Sequence, residues 1–124
     1  MGALTYATVG SNRLEKAKAF YDVLLASAGL RPIFEHPSGG RVYGDRRGPN
    51  FGVLGPHNGE AATVGNGSMF AFNFETRKEV TAFHEQALAL GAVCDGPPGV
   101  RGPGLWFSYF RDLDGNKLCA YCLG

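Results

Sequence analysis

Two stretches of the chain, 63 residues apart, carry the same pattern. Residues 14–28 place apolar side chains at 14, 17, 21, 24, 25 and 28, the spacing of one inward helical stripe. Val80, Phe83, Ala87 and Leu88 repeat that stripe in the second half, and Ala19-Phe20 matches Ala82-Phe83. Asn12 with Glu15 predicts the start of the first helix, and Thr76 with Glu79 forms a capping-box pattern at the second. Gly29 and Gly91 predict their ends. Short apolar runs at 4–9 and 69–74 precede the helices at nearly the same offset, 65 residues. A repeat of this kind restricts the fold more than composition does, because each copy must be a unit with one apolar face to bury.

After each helix the period shortens to strand-like runs broken by Gly, Pro and Asp. The first half offers 31–36, 41–44 and 51–54, and the second 92–95, 105–111 and 117–123. Asp114-Gly115 predicts a tight hairpin between the last two, which explains Asp112 and Asp114 better than a calcium loop does. Each half therefore reads strand, helix, strand, strand, strand, joined by a Gly-rich connection at 55–67. The Gly/Pro-rich stretch 96–104 reads as a loop. There are no recurring parallel crossovers and no phosphate-loop motif.

At 124 residues, 44% hydrophobic and 19% charged, the chain suits a single domain over 1–124, built of a module at 1–62 and another at 67–124. A formal charge of +1 removes the electrostatic case for nucleic acid or an anionic membrane as partner. No apolar run has the length of a membrane span, and the first residues lack the pattern of a secretory signal, so a cytoplasmic location is expected. The three cysteines do not suggest a disulfide framework. Cys119 and Cys122 fall three apart on a strand and point to opposite faces, so the pair does not read as a chelate or redox couple.

The sequence Leu14-Glu-Lys-Ala-Lys-Ala-Phe-Tyr-Asp-Val-Leu, the run Gly67-Ser-Met-Phe-Ala-Phe72, and Phe110-Arg-Asp-Leu-Asp-Gly-Asn-Lys-Leu118 occur in an order that resembles the vicinal oxygen chelate superfamily. This is the group of glyoxalases, bleomycin-resistance proteins and extradiol dioxygenases. The resemblance covers nearly the whole chain, with Leu113 where a proline is usual. It implies an α+β fold of two βαβββ modules whose curved mixed sheet surrounds a shared cleft, and it implies a homodimer. In the enzymes of the group a divalent ion is held by inward His and Glu side chains, where it stabilises an enediolate or activates oxygen and a catechol.

Carried over one at a time, those ligand positions fall on Tyr6, Met69 and Cys119, with Gly52 as the counterpart in the first module. A phenol, a thioether, a thiol and a missing side chain do not compose a hard nitrogen–oxygen site. The expectation is therefore a protein without a metal or other cofactor that binds a small apolar or aromatic molecule near Tyr6, Met69 and Cys119. Alternation adds Tyr121 beside Cys119, and one of Trp106 and Tyr109, which point to opposite faces. His57 on its loop is a candidate for the rim, and Arg101 for holding an anion. No residue is assigned a catalytic role. The other reading is a divalent-metal enzyme, lactoylglutathione-lyase-like or dioxygenase-like, with displaced ligands that include His57 and His36. His84 lies at the margin of the second helix's apolar face and reads as a packed or solvated helix residue.

Overall fold

The computed structural model describes residues 1–124, which divide into two compact units, Met1–Val64 and Gly65–Gly124. The first contains β1 (Tyr6–Gly10), α1 (Leu14–Ala26), β2 (Arg31–Glu35), β3 (Arg41–Gly44) and β4 (Asn50–Leu54). The second contains β5 (Phe70–Asn73), α2 (Arg77–Ala89), β6 (Val93–Val100), β7 (Leu105–Arg111) and β8 (Lys117–Leu123). Each unit has a four-stranded mixed sheet, in order β1-β4-β3-β2 and β5-β8-β7-β6. The first and last strands of each unit pair in parallel and the other pairings are antiparallel. The architecture is the α+β arrangement of two βαβββ units that the repeat predicts.

In the first unit α1 buries Ala17, Phe20, Tyr21, Leu24 and Leu25. The Tyr21 ring meets Phe51 at 5.2 Å and Tyr43 at 6.4 Å, which makes Phe51, Val53, Tyr43 and Val9 the helix-side residues of the sheet. Each such large side chain contributes about 1.5–3 kcal/mol by leaving water. Tyr43 is fully buried, and its hydroxyl donates to Asp22 Oδ1 at 2.6 Å. The other Asp22 oxygen accepts from Arg41 at 2.7 Å, and Arg41 forks onto Glu35 at 2.6 and 3.1 Å. Burial, then the contact with Asp22, holds the Tyr43 phenol well above its usual range.

The start of α1 differs from the sequence expectation. Arg13 is the N-cap and makes no side-chain cap hydrogen bond. The Asn12 amide is used elsewhere: its Nδ2 donates to the Ala62 carbonyl at 2.9 Å and its Oδ1 accepts from the Ala62 N–H at 2.7 Å. A side chain that can both donate and accept satisfies two main-chain groups of the loop at once, and no local pattern signals that partner.

In the second unit Thr76 and Glu79 form the predicted capping box. The helix buries Val80, Phe83, His84 and Ala87, and Phe83 packs against Phe72, Phe74 and Phe110. Leu88, expected on the buried stripe, is exposed, and His84 takes a place inside instead. β6 is the second correction: it continues through Gly96-Pro97-Pro98-Gly99 to Val100, where a loop is expected. It is an outer strand, and its pairing with β7 shifts register between Cys94 and Gly96 and again between Gly96 and Gly99. Prolines are tolerated there because an outer strand leaves one side of its backbone unpaired. Pro32 occupies the same kind of place in β2, the outer strand of the first sheet.

Two expectations follow for stability. Tyr43→Phe leaves Asp22 without its phenolic donor and is expected to cost about 1–2 kcal/mol, read from the urea midpoint. His84 is buried against the Phe110 ring with no hydrogen-bond partner at either ring nitrogen. Burial lowers its pKa, opposed more weakly by Glu85. The unfolded chain takes up this proton near pH 6.5, whereas the folded chain takes it up only at lower pH. Stability is therefore retained above about pH 6.5 and falls as the pH drops below it. His84→Leu should lose less thermal stability between pH 7 and pH 5.5 than the parent protein.

Candidate functional site

One helix covers one face of each sheet, so the side chains on the other face are available for other work. In the second unit β7 and β8 pair with Tyr109 opposite Cys119 and Phe107 opposite Tyr121, and β5 sets Ala71 beside Cys119 and Asn73 beside Tyr121. Residues directly opposite in a sheet share a face, and Phe72 and Phe110 of the alternate set contact α2 through Phe83. Tyr109, Phe107, Cys119, Tyr121, Ala71 and Asn73 therefore occupy the helix-distal face. The Phe107 ring stacks on Tyr121 at 4.8 Å and 16°, and on Tyr109 at 6.3 Å and 29°. Trp106 lies on the other face, opposite Cys122, with the Arg77 guanidinium 4.7 Å from its ring centroid. Of the two alternating aromatics, Tyr109 is the one beside Cys119.

Two cations flank this aromatic row. Lys117 Nζ stands 5.0 Å from the centre of Tyr109, and the Arg101 guanidinium 5.7 Å. Lys117 is shared with Asp95, which also takes Arg111. The hydrogen bonds of Arg101 go only to main-chain carbonyls, Pro97 at 2.7 Å and Val100 at 3.5 Å. Its position depends on two glycines of β6. A Cβ at Gly99 would stand 3.0 Å from Arg101 Nη1, and one at Gly96 would stand 2.8 Å from the Tyr109 ring and 3.4 Å from Arg101 Nη2. Gly96 has φ of 152°, a backbone state that suits glycine. The Gly-Pro-Pro-Gly run thus clears the space in which Arg101 lies beside Tyr109. Phe107 and Lys117 are the members of this group that sequence reading missed, although Phe107 has the two-residue spacing from Tyr109 that could have found it.

The remaining candidates separate. Tyr6 is the first residue of β1 and is exposed, on the face of the first sheet away from α1, together with Thr8 and Gly52. Register makes Gly52 the counterpart of Cys119, since Thr8 lies beside Gly52 as Ala71 lies beside Cys119. Met69 immediately precedes β5 and is exposed. His57 follows β4 and lines an open cavity inside the first unit, which His36 also lines. Cys119 is fully buried, and burial pushes its thiol up to about 11 against the weaker pull of Lys117. It is held as a thiol at neutral pH and is not a ready nucleophile.

Within neither unit do three His, Cys, Asp or Glu side chains come together so as to hold a metal ion. At the positions where the resemblance implies a divalent ion, Tyr6 and Met69 are weak or soft donors, Gly52 has no side chain, and Cys119 offers a soft sulfur. These residues do not fit the ion. No helix is long and apolar enough to cross a membrane.

Comparison with known proteins gives a consistent picture. A sequence model described as the Glyoxalase/Bleomycin resistance protein/Dioxygenase superfamily matches residues 3–120. A glyoxalase/bleomycin resistance protein from Albidiferax ferrireducens T118 is similar over 97% of this chain and 98% of its own, at 39% identity and a TM-score of 0.88. A genomically encoded fosfomycin resistance protein from Listeria monocytogenes superposes over 100% of this chain and 95% of its own, with a TM-score of 0.76 and 19% identity. A lactoylglutathione lyase from Agrobacterium tumefaciens does so over 98% and 94%, with a TM-score of 0.70 and 19% identity. At 19% identity the likeness is one of fold. Among curated proteins no sequence match is found.

The thiol environments make a direct prediction. At pH 7.5 iodoacetamide should label exposed Cys94 first, while buried Cys119 and Cys122 react only after unfolding. Intact mass against time reads the order; rapid labelling of Cys119 in the folded protein would contradict its burial.

Proposed function

Since the chain belongs to the glyoxalase/bleomycin resistance protein/dioxygenase superfamily, we propose that it is a member that binds a small aromatic compound without using a metal ion. The ligand lies on the helix-distal face of the second unit, its ring against Tyr109, Tyr121 and Phe107, and an acidic group on it meets Arg101. The observation that carries this reading is the Arg101 guanidinium, held by main-chain carbonyls beside the Tyr109 ring in space that Gly96 and Gly99 leave clear. Such a group offers a cation next to a π-face, where both the charge and the ring of an aromatic acid find partners. The donor set at the family's ligand positions supports the metal-free part of the reading, because it leaves a divalent ion without hard ligands.

Calorimetry with 2-naphthoate, 2-naphthalenemethanol and cyclohexanecarboxylate tests the reading. Naphthoate should bind best; Arg101→Gln should weaken it by about tenfold or more, the worth of a hydrogen bond to a charged group. Tyr109→Ala should weaken naphthoate and naphthalenemethanol alike. The reading fails if no aromatic compound binds and protein purified without chelators carries stoichiometric zinc, nickel, manganese or iron whose removal abolishes a lyase or dioxygenase activity.

A further inference from the structure

The first unit contains a cavity of about 700 Å³ at the C-terminal ends of β1 and β4. Its walls include Thr8, His36, Leu54, Pro56, His57 and Asn58, and no Asp, Glu, Lys or Arg lines it. The volume is within the range of sites for small organic ligands. Its rim is fixed by hydrogen bonds from other elements. Ser38 Oγ accepts from the Gly55 N–H at 3.0 Å and the Gly40 N–H at 3.3 Å, tying the β2–β3 turn to the end of β4. The Asn12 amide ties Ala62, also on the wall, to the end of β1.

His36 shows what the cavity offers. Its Nδ1 lies 3.1 Å from the Ser38 main-chain N–H and 2.9 Å from Ser38 Oγ. A main-chain N–H can only donate, so Nδ1 is the acceptor nitrogen and the neutral ring carries its proton on Nε2. Ser38 Oγ already accepts two main-chain N–H groups, which leaves its own hydrogen for Nδ1. The ring is thus fixed as an Nε2–H donor. Ligation of a metal through Nε2 would require the opposite tautomer and the loss of the Ser38 N–H bond. Asn58 is oriented similarly: its Oδ1 accepts the Glu60 N–H at 2.9 Å, so its NH₂ is the group left to donate.

We propose that this cavity is a second small-molecule site, which takes an uncharged compound through a carbonyl or hydroxyl oxygen that accepts from His36 Nε2–H. The charge class follows from the walls, since an ion entering a cavity without formal charge gives up hydration with no counter-charge in return. The oxygen follows from the fixed donors, and Leu54 with Pro56 faces the apolar part of the compound. All of its lining residues belong to the first unit, so its test is read on different residues from that of the aromatic face.

Imidazole ¹⁵N–¹H spectra of the full chain at pH 7.5 test it, with N-methylacetamide as the neutral probe and sodium acetate as the charged one. His36 should show the Nε2–H tautomer. N-methylacetamide should shift its resonances and those of Thr8 and Asn58 saturably, and acetate should bind more weakly. Ser38→Ala should raise the dissociation constant by about three- to tenfold, as expected for loss of one supporting hydrogen bond. His36→Phe should abolish the saturable shift in protein whose amide spectrum remains folded. A proton on Nδ1, no saturable shift in the parent protein, or tighter binding of acetate would overturn the proposal.

Discussion

A single helix laid across a four-stranded sheet can bury one face of it and no more. In the first unit Tyr21, Leu24 and Leu25 of α1 take that face with Phe51, Val53 and Tyr43 beneath them. In the second, Phe83 does the same over Phe72 and Phe110. Strand alternation then decides everything on the reverse side, because each inward aromatic fixes the direction of its neighbours. Tyr109, Phe107 and Tyr121 share a face with Cys119 because Phe110 and Phe72 are claimed by the helix. The chemistry available to the protein is what this division leaves over.

Much of the fold was legible because it rests on periodicity, which is local. Both helices, the capping box at Thr76, and the hairpin between β7 and β8 follow from spacing and turn chemistry. The same alternation separated Trp106 from Tyr109 and Cys119 from Cys122. What could not be read depends on partners distant in sequence. Asn12 has the look of a cap, and only the return of the chain at Ala62 draws it away. β6 has the composition of a loop, and only its place at the edge of the sheet lets Pro97 and Pro98 stand in a strand. The role of Gly96 and Gly99 beside Arg101 was hidden for the same reason: a glycine reports the space next to it only once the neighbour is known.

The two units diverge from one plan by exchanging side chains at equivalent register. Cys119 and Gly52 stand at matching points beside Ala71 and Thr8. One is a thiol pushed above its usual range by burial and the other has no side chain. Polar groups persist in the first unit at the end of its parallel strands, where His36 and Asn58 are each held in one hydrogen-bonding sense by their own backbone. In the second unit they persist as cations beside rings. A repeated scaffold has thus acquired two chemically unlike surfaces.

The prolines of the outer strands have a consequence for the protein in crowded solution. Pro32 in β2 and Pro97 and Pro98 in β6 interrupt the rows of amide hydrogens along those rims. The opposite rims belong to β1 and β5, which are short. A stray strand from another molecule thus finds little continuous template on either sheet. Growth by lateral accretion is discouraged, and any pairing of copies is directed to side-chain surfaces whose composition can be selected.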